Sequence, residues 1–296
     1  MTMTKTKTLA ALLASATLLT PAAVLAQDFT GSATLGFGHG EGSAAILDAD
    51  SVTLDGDVRY DLGNNFALTA RANTAGVTVG DVTTEAHVIA LGARYGFAPN
   101  AWAGIFAEYS RVGAFGEQDE DTALGLEGGY TFGDAVVEGF WSKSKELESV
   151  GFAGQYAFGT DLTVAANLTH TEVELITAGQ DVNTFGVAAA YDLGNNVTLF
   201  GGASRTNLVG QMADVTTFGF GGAYALGEQF MNSTVSLELA RSTVDGTATD
   251  GDLDTVRVGI TLPFGGAAAK APANSVAGSV FAPAHNAVNQ AVLAAF

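Results

Sequence analysis

A short tyrosine-containing motif recurs along this sequence and constrains the fold more than any other feature. Residues 60–65 read Tyr-Asp-Leu-Gly-Asn-Asn, and residues 191–196 repeat them unchanged. Looser copies begin at Tyr95, Tyr130, Tyr156 and Tyr224, so that successive copies are 35, 35, 26, 35 and 33 residues apart. An aromatic residue, a Leu or Phe and a small residue followed by Asn, Asp or Pro are typical of a tight turn. A near-constant period predicts a fold built from one repeated unit.

The sequence on either side of the turns predicts β-strands. Residues 185–190 and 197–204 suit strands whose alternate side chains face opposite environments, and no segment shows a sustained helical period. A tilted strand crosses a bilayer in about 9–11 residues. Two strands and a short turn therefore fit one repeat, with roughly 10 residues left for the connection at the far end. Each repeat is interpreted as one transmembrane hairpin.

The N-terminus has the layout of a secretory signal peptide over residues 1–26. Lys5 and Lys7 form a basic head, an apolar run follows from Leu9 to Leu19, and Val24-Leu25-Ala26 resembles a cleavage site before Gln27. Without these residues, ten basic residues stand against 31 acidic ones, a net charge of −21. Such a charge argues against a nucleic-acid partner. An exported chain without cysteine has neither disulfides nor thiolate metal sites.

These features together predict an all-β fold, an antiparallel up-and-down transmembrane barrel over residues 27–264. The chain has 38 Gly and 47% hydrophobic residues but no apolar stretch of 18 residues after the signal peptide, which argues against membrane helices. We expect about 14 strands, with 12 or 16 as alternatives, near 29–38, 52–62, 65–74, 86–97, 101–111, 122–132, 135–143, 149–158, 161–171, 182–193, 196–205, 216–226, 230–241 and 253–264. An even number places both chain ends in the periplasm.

The predicted last strand carries the most specific local signal. Arg257, Gly259, Leu262 and Phe264 combine a polar residue, a glycine and two alternating hydrophobic residues. Here the sequence resembles the Gram-negative outer-membrane β-barrel porins, and its short Gly-Asn and Gly-Asp turns resemble those of alphaproteobacterial porins. The resemblance implies location in the outer membrane and recognition of this strand by the barrel-assembly machinery. It also implies a possible homo-oligomer.

The segment after Phe264 departs from that family, whose members usually end at this aromatic residue. Residues 265–296 are rich in Ala, contain Pro272 and Pro283, and could form a short helix from His285 to Phe296. We expect them to form a periplasmic tail. A plug inside the lumen is the alternative.

Strand alternation assigns charged residues to the lumen. The predicted pore-lining residues are Asp55, Asp57, Arg59, Arg71, Arg94, Glu108, Glu127, Glu138, Glu238 and Arg257. Four arginines come from strands that become neighbours when the barrel closes, and Glu108, Glu127 and Glu138 come from the next three strands. The resemblance to porins implies a transverse electric field between these two groups, although Asp55, Asp57 and Glu238 interrupt the basic group.

Outward positions are assigned to the two membrane interfaces. Tyr60, Tyr95, Tyr130, Tyr156, Tyr191 and Tyr224 are predicted to form a periplasmic aromatic girdle. Arg111, Lys143, Lys145, Arg205 and Arg241 fall at the extracellular strand ends, where they would meet either the phosphates of lipopolysaccharide or solvent. Acidic runs at 117–121 and 245–254 are predicted to lie in extracellular loops as solvated charge, the alternative being that they hold divalent cations that bridge to lipopolysaccharide; their spacing matches no Ca²⁺ loop.

The function predicted from these features is passive diffusion of ions and small hydrophilic solutes through the outer membrane, with a preference for cations. The alternative is a non-conducting structural or adhesive barrel, and a third possibility is a secreted β-solenoid. The sequence shows no nucleophile elbow and no His-Glu-x-x-His motif, so we expect no enzyme activity. We likewise expect no cofactor and no metal site, and we interpret His39, His87 and His170 as exposed polar residues.

Overall fold

The computed structural model describes residues 29–43, 46, 48–80, 82–114, 117–173, 180–208, 213–246, 250–265 and 270–295. The predicted signal peptide, residues 1–26, lies outside the described residues.

Fourteen antiparallel strands form a closed barrel in which each strand pairs with its neighbours in sequence and β14 pairs with β1. The strands are β1 Phe29–Gly42, β2 Ala49–Gly63, β3 Phe66–Val79, β4 Val82–Ala98, β5 Ala101–Ala114, β6 Glu117–Phe132, β7 Ala135–Lys143, β8 Leu147–Phe158, β9 Leu162–Val173, β10 Gln180–Gly194, β11 Val197–Leu208, β12 Ala213–Ala225, β13 Thr234–Gly246 and β14 Gly251–Phe264. Closure leaves no free sheet edge, which satisfies the backbone in a lipid environment. The predicted class and the predicted number of strands are confirmed.

The tyrosine motifs mark one end of the barrel, here called the turn end, where β1 also begins and β14 ends. In the two unbroken copies the chain reverses at Asn64-Asn65 and Asn195-Asn196, and all four residues have φ between 51° and 67°. Two consecutive residues at positive φ are typical of a type I′ hairpin turn, which Asn tolerates better than most residues. Register shifts between residues 61 and 63 and between residues 192 and 194 precede these two turns.

The strands extend further toward the opposite end, here called the loop end, than the sequence analysis expected. β6 begins at Glu117 and β14 at Gly251, so most of the two acidic runs belongs to paired strands instead of loops. Cross-strand ion pairs account for the difference, because Arg241 contacts both Asp252 and Asp254 on the next strand. Opposite charges on paired strands stabilise the sheet.

The two faces of the sheet differ in chemistry. Large apolar side chains point outward and are exposed, among them Leu91, Ile105, Leu124, Phe152 and Phe220. This is the surface that lipid requires. The inner face carries hydroxyl groups that hydrogen-bond across paired strands at 2.9 Å, in the pairs Thr34–Thr261, Ser149–Thr171, Thr184–Thr206 and Thr217–Ser242. These inner hydroxyl-bearing residues are buried.

The segment that follows the last strand explains this burial. Residues 270–295, here called the plug, lie inside the barrel and contain two helices, α1 (Val276–Phe281) and α2 (Ala287–Ala295). The placement in the periplasm expected for residues 265–296 is therefore wrong for the described part, and the alternative, a plug in the lumen, is what the structure shows. Among the described residues, none of the helices is long and apolar enough to cross a membrane.

Candidate pore and its internal plug

A buried ion pair on the barrel wall contacts both helices of the plug. Glu238 on β13 lies opposite Arg257 on β14, with 3.0 Å between Glu238 Oε2 and Arg257 Nη1, and the two side chains are 2% and 1% exposed. The backbone N–H of Val276, at the start of α1, donates to Glu238 Oε1 at 3.0 Å. Arg257 Nη2 donates to the carbonyl oxygen of Ala294, near the end of α2, at 3.1 Å. One ion pair therefore ties the wall to both helices.

A second buried carboxylate holds the connection between the helices. Glu108 on β5 accepts hydrogen bonds from Asn286 Nδ2 at 3.1 Å and from Asn289 Nδ2 at 3.2 Å. Its other oxygen lies 2.9 Å from His285 Nδ1. The His285 ring stacks on Phe106, with 3.9 Å between ring centroids. The plug thus contacts β5 through a buried charged residue, as it does β13 and β14.

Further hydrogen bonds join the plug to strands on several sides of the lumen. The wall side chains of Arg71, Ser142, Gln155, Asn167 and Thr184 donate to plug carbonyl oxygens, those of Pro283, His285, Phe281, Ser279 and Val280, and Ala287 respectively. These contacts come from β3, β7, β8, β9 and β10. Because they lie around the barrel, the plug crosses the lumen.

Inward-facing glycines on the wall leave room for the plug backbone. A Cβ added at Gly202 would meet the backbone N and Cα of Ala277 at 2.9 and 3.0 Å. A Cβ added at Gly186 would lie 2.7 Å from Val280 Cγ2. Protein interiors are close-packed, so a side chain at Gly202 would displace the backbone of α1, whereas one at Gly186 would need the side chains of Val280 and Asn167 to move or to be smaller.

The apolar part of the plug contact is small. In the described residues it centres on a buried cluster that joins Ala271, Ala277 and Val280 of the plug to Phe200 and three alanines of β9 and β10, namely Ala165, Ala188 and Ala190, with Ala223 and Phe281 packed against it. Phe200 is the only large side chain in the cluster's buried core. Most of the remaining contact is made through hydrogen bonds and charges.

A cavity of about 260 Å³ remains between the plug and the part of the wall formed by β1 to β6. Its lining includes Asp57, Arg59, Arg71, Arg94 and Glu127 from the wall. His285 of the plug forms part of its boundary. The free space is therefore lined by charged groups of both signs.

The loop end carries an apolar contact of its own. The inward-facing residues Ala49, Val77 and Leu253 form a buried cluster, and Ile46 from the β1–β2 connection packs against it. The connection is held by a hydrogen bond from the Ser43 backbone N–H to the Asp252 carbonyl oxygen at 2.9 Å. The lumen thus narrows at the loop end over β14, β2 and β3.

All ten predicted pore-lining residues face the inside of the barrel, and four of them form two ion pairs with each other. Arg94 makes two hydrogen bonds of 2.8 Å to Glu127, two strands away, across Gly104. Arg257 pairs with Glu238. The four arginines and the three glutamates lie on separate groups of neighbouring strands, but the Arg94–Glu127 pair joins the two groups, so their charges partly neutralise each other. The spacing of Arg94 and Glu127 in the sequence did not show that Gly104, on the strand between them, lets their side chains meet.

Counted by strand alternation, carboxylates outnumber guanidinium groups on the described inner wall. Ten carboxylates face inward: Asp55, Asp57, Asp61, Glu108, Asp119, Asp121, Glu127, Glu138, Asp192 and Glu238. Four arginines face inward: Arg59, Arg71, Arg94 and Arg257. Three of the carboxylates are paired with arginine, since Asp61 contacts Arg59 in addition to the two pairs above. The inner wall is therefore acidic overall.

The predicted interfacial residues lie on the outer face. Five of the six girdle tyrosines are exposed at the turn end, and Tyr60 stacks on Phe29 with 4.6 Å between ring centroids. Four of the five outward cations pair with carboxylates on the same or the next strand, in the pairs Arg111–Glu120, Lys143–Glu148, Arg205–Asp214 and Arg241–Asp254. Lys145 is exposed in the β7–β8 turn.

The remaining singled-out residues divide between the two faces. In the predicted assembly signal, Arg257 and Gly259 face inward, whereas Leu262 and Phe264 face outward at the turn end. The three histidines predicted to be exposed face outward near the loop end, where the ring nitrogens of His39 and His170 contact Asp50 and Asn183 at 2.8 Å.

The chain is similar to known outer-membrane proteins. The family model described as Gram-negative porin matches residues 15–207 and 124–232. In-vitro folded OmpT of Vibrio cholerae, solved in a trimer form, is similar over 80% of this chain and 98% of its own, with 15% identity and a TM-score of 0.50. The toluene transporter TodX of Pseudomonas putida is similar over 80% of this chain and 89% of its own, with 11% identity and a TM-score of 0.52. A comparison with curated proteins finds no match. At these identities, the solved structures support the fold.

Proposed function

The chain belongs to the Gram-negative porin family, and from this premise we propose that it is a passive diffusion channel for ions and small hydrophilic solutes that prefers cations. The protein is an outer-membrane barrel, and its exposed apolar face contacts lipid. The proposed activity is transport without a catalytic step.

The acidic inner wall is the observation that carries the proposal. Ten inward carboxylates against four arginines leave an excess of negative charge along the described lumen. Carboxylates that line a pore raise the local concentration of cations and lower that of anions. Asp119 and Asp121 lie near the loop end, where a solute from outside the cell would arrive first.

The chemistry of the lumen also favours hydrophilic solutes. Hydroxyl, amide and charged groups dominate the inner wall, and the cavity beside the plug is bounded by arginine and carboxylate side chains. Such groups replace part of the hydration of an ion or a polar solute, whereas they would be left unpaired by an apolar one.

A non-conducting structural or adhesive barrel is the second candidate. The plug favours it, because residues 270–295 cross the lumen and contact the wall around its circumference. The two candidates differ in whether water and ions pass the plug or can displace it.

Three kinds of partner are proposed beyond lipid and solutes. The exposed ends of Arg111, Lys143, Lys145, Arg205 and Arg241 are placed to contact lipopolysaccharide phosphates, in competition with their carboxylate partners. The aromatic end of β14 is proposed as the signal read by the barrel-assembly machinery. Assembly into a homo-oligomer is proposed because OmpT of Vibrio cholerae, a structural neighbour, was solved as a trimer form.

Conductance in a planar bilayer tests the proposal. The purified, refolded full-length protein and a chain ending at Phe264 would be measured under a salt gradient, after circular dichroism has shown that both contain the barrel. We expect discrete current steps in both forms, with a reversal potential that indicates cation selectivity. Silence of the folded full-length protein would contradict the channel and favour the structural barrel, whether or not the shortened form conducts. Anion selectivity would contradict the cation preference alone.

A further inference from the structure

We propose that residues 270–295 are a reversible gate that leaves the lumen as one unit and is held in place by the wall residues Glu238, Arg257 and Glu108. This inference rests on the proposed channel function and adds the element that opens and closes the channel. It concerns the described part of the segment after Gly265.

The contact between plug and wall is of a kind that water can replace. Glu238, Arg257 and Glu108 are charged wall groups whose partners on the plug are backbone groups, amide groups and the His285 ring. Once the plug leaves, these charges become hydrated, and the Glu238–Arg257 pair stays intact on the wall. On the wall, the apolar cluster that would be uncovered contains one large side chain, Phe200, and otherwise alanine, and the plug contributes Val280 and Phe281 to it. An apolar contact would make a firmer permanent seal, because buried ion pairs are often no more stabilising than apolar replacements.

The plug is connected internally, which lets it move as a unit. Gln290 on α2 is fully buried; its side-chain Nε2 donates to the Ser279 carbonyl oxygen on α1 at 2.6 Å, and its Oε1 accepts from the Ala284 backbone N–H at 2.7 Å. One side chain therefore joins α1, the connection and α2. The Ser275 hydroxyl also accepts from the Gly278 backbone N–H at 2.9 Å and caps α1 within the plug. These bonds do not depend on the wall.

The attachment of the plug to the barrel permits release in one direction. The chain leaves β14 at Phe264, at the turn end, and turns at Gly265, which has a φ of +62°. A Cβ at Gly265 would lie 1.8 Å from the Phe29 carbonyl oxygen, so glycine is required for this close approach. Because the chain enters the plug from the turn end, the plug can withdraw toward the periplasm without passing through the wall.

The three wall residues act at the two ends and the middle of the plug. Glu238 holds the start of α1, Glu108 holds the connection between the helices, and Arg257 holds the end of α2. Since Glu238 and Arg257 also bind each other at 3.0 Å, loosening one of them weakens the hold on both helices. Such coupling favours two states, docked and released, over partial release.

A disulfide between plug and wall tests whether the plug must move. The double variant Gly186→Cys/Val280→Cys places one thiol on β10 and the other on α1, where a Cβ at residue 186 lies 2.7 Å from Val280 Cγ2. The natural chain has no cysteine, so oxidation acts on the introduced pair alone. We expect the oxidised double variant to conduct for less than about a tenth of the fraction of time for which the reduced one conducts. A change of this size needs only a small change in the free-energy difference between the closed and open states. The two single variants and the natural protein should not respond to oxidant or reductant.

A substitution that displaces the plug gives the opposite result in the full-length chain. Gly202→Val inserts side-chain atoms where the Ala277 backbone lies, so the plug cannot dock on β11. We expect it to raise the conducting time at least about tenfold. Gly222→Val is the matched control, because this glycine faces lipid on β12, where an added Cβ meets only ordinary contacts at 3.6 Å or more.

Removing the charge of Glu238 tests directly whether this residue keeps the plug docked. Glu238→Gln weakens the accepting group for Val276 and Arg257, and we expect it to lengthen openings in the folded protein. If this variant does not fold, the disulfide and Gly202→Val results still decide the question.

The outcomes separate the gate from the channel. Equal currents in the oxidised and reduced double variant, with the disulfide verified by thiol labelling, would overturn the gate and leave a channel that conducts past its plug. Silence of the folded Gly202→Val variant, of the reduced double variant and of the chain ending at Phe264 would overturn the channel itself.

Discussion

Single residues decide what faces the lumen, because neighbours along a strand point to opposite sides of the wall. Asp119 and Asp121 on β6 face inward, whereas Glu120 between them faces outward and lies 3.8 Å from Arg111. Three consecutive carboxylates therefore act in two environments. Only the inward pair can influence a permeating ion.

This alternation predicts a selectivity change for Asp119→Asn/Asp121→Asn. A unit charge about 4 Å from an ion contributes about 1 kcal/mol in water, or up to about a fivefold change in local cation concentration. We expect the reversal potential of the double variant to move toward zero, with salt reducing the effect. Glu120→Gln is the control and should leave the reversal potential unchanged. An equal shift in the control would show that general surface charge, not the lumen wall, sets the selectivity.

At the scale of elements, the asparagine turns fix the register between the two strands that each of them joins. They belong to the motif that recurs along the sequence. Asn195 and Asn196 adopt φ of 53° and 67°, which reverses β10 into β11 within two residues and fixes the pairing of Gly194 with Val197. Most residues are strained at positive φ, whereas Asn tolerates it. Asn100, in the turn between β4 and β5, has no positive φ.

Asn195→Ala/Asn196→Ala should therefore destabilise the barrel. A non-glycine residue in this region costs roughly 1–2 kcal/mol, and because Asn already bears part of that cost, we expect a loss of about 1–2 kcal/mol for the pair. Equilibrium unfolding in urea with lipid vesicles would measure it. Asn100→Ala should change the free energy of unfolding by less than about 0.5 kcal/mol. A similar loss at both sites would contradict the role assigned to the positive φ.

At the scale of the whole molecule, closure of the barrel does not depend on the plug. β14 pairs with β1 from Gly31–Phe264 to Gly42–Leu253, twelve consecutive positions, without involving residues 270–295. The plug adds contacts inside a wall that is already complete. We therefore expect barrel formation to be separable from closure of the lumen.

A chain that ends at Phe264 should accordingly still fold. We expect a far-ultraviolet circular dichroism signal per residue at least as strong as that of the full-length protein, and retention of the faster electrophoretic mobility of an unheated barrel. The temperature midpoint should fall, because the contacts of Glu238, Arg257 and Glu108 with the plug are lost. Loss of the β signal in the shortened chain would show that the plug is required for folding.

The sequence by itself determined the barrel, because its features are local and repeated. The tyrosine turns count the hairpins, alternation gives each strand two faces, and the motif ending at Phe264 identifies the last strand. The inward direction of all ten predicted pore-lining residues follows from the same period of two.

Tertiary structure alone decided what fills the barrel and which charges meet. His285, Asn286 and Asn289 bind Glu108, which is 177 or more positions away in the chain, and no local pattern predicts such a contact. Polar side chains in an Ala-rich segment were the only signal in the sequence, and they suit a solvated tail equally well. Arg94 and Glu127 meet because Gly104 on the strand between them is small, a fact of packing across strands and not of spacing within one.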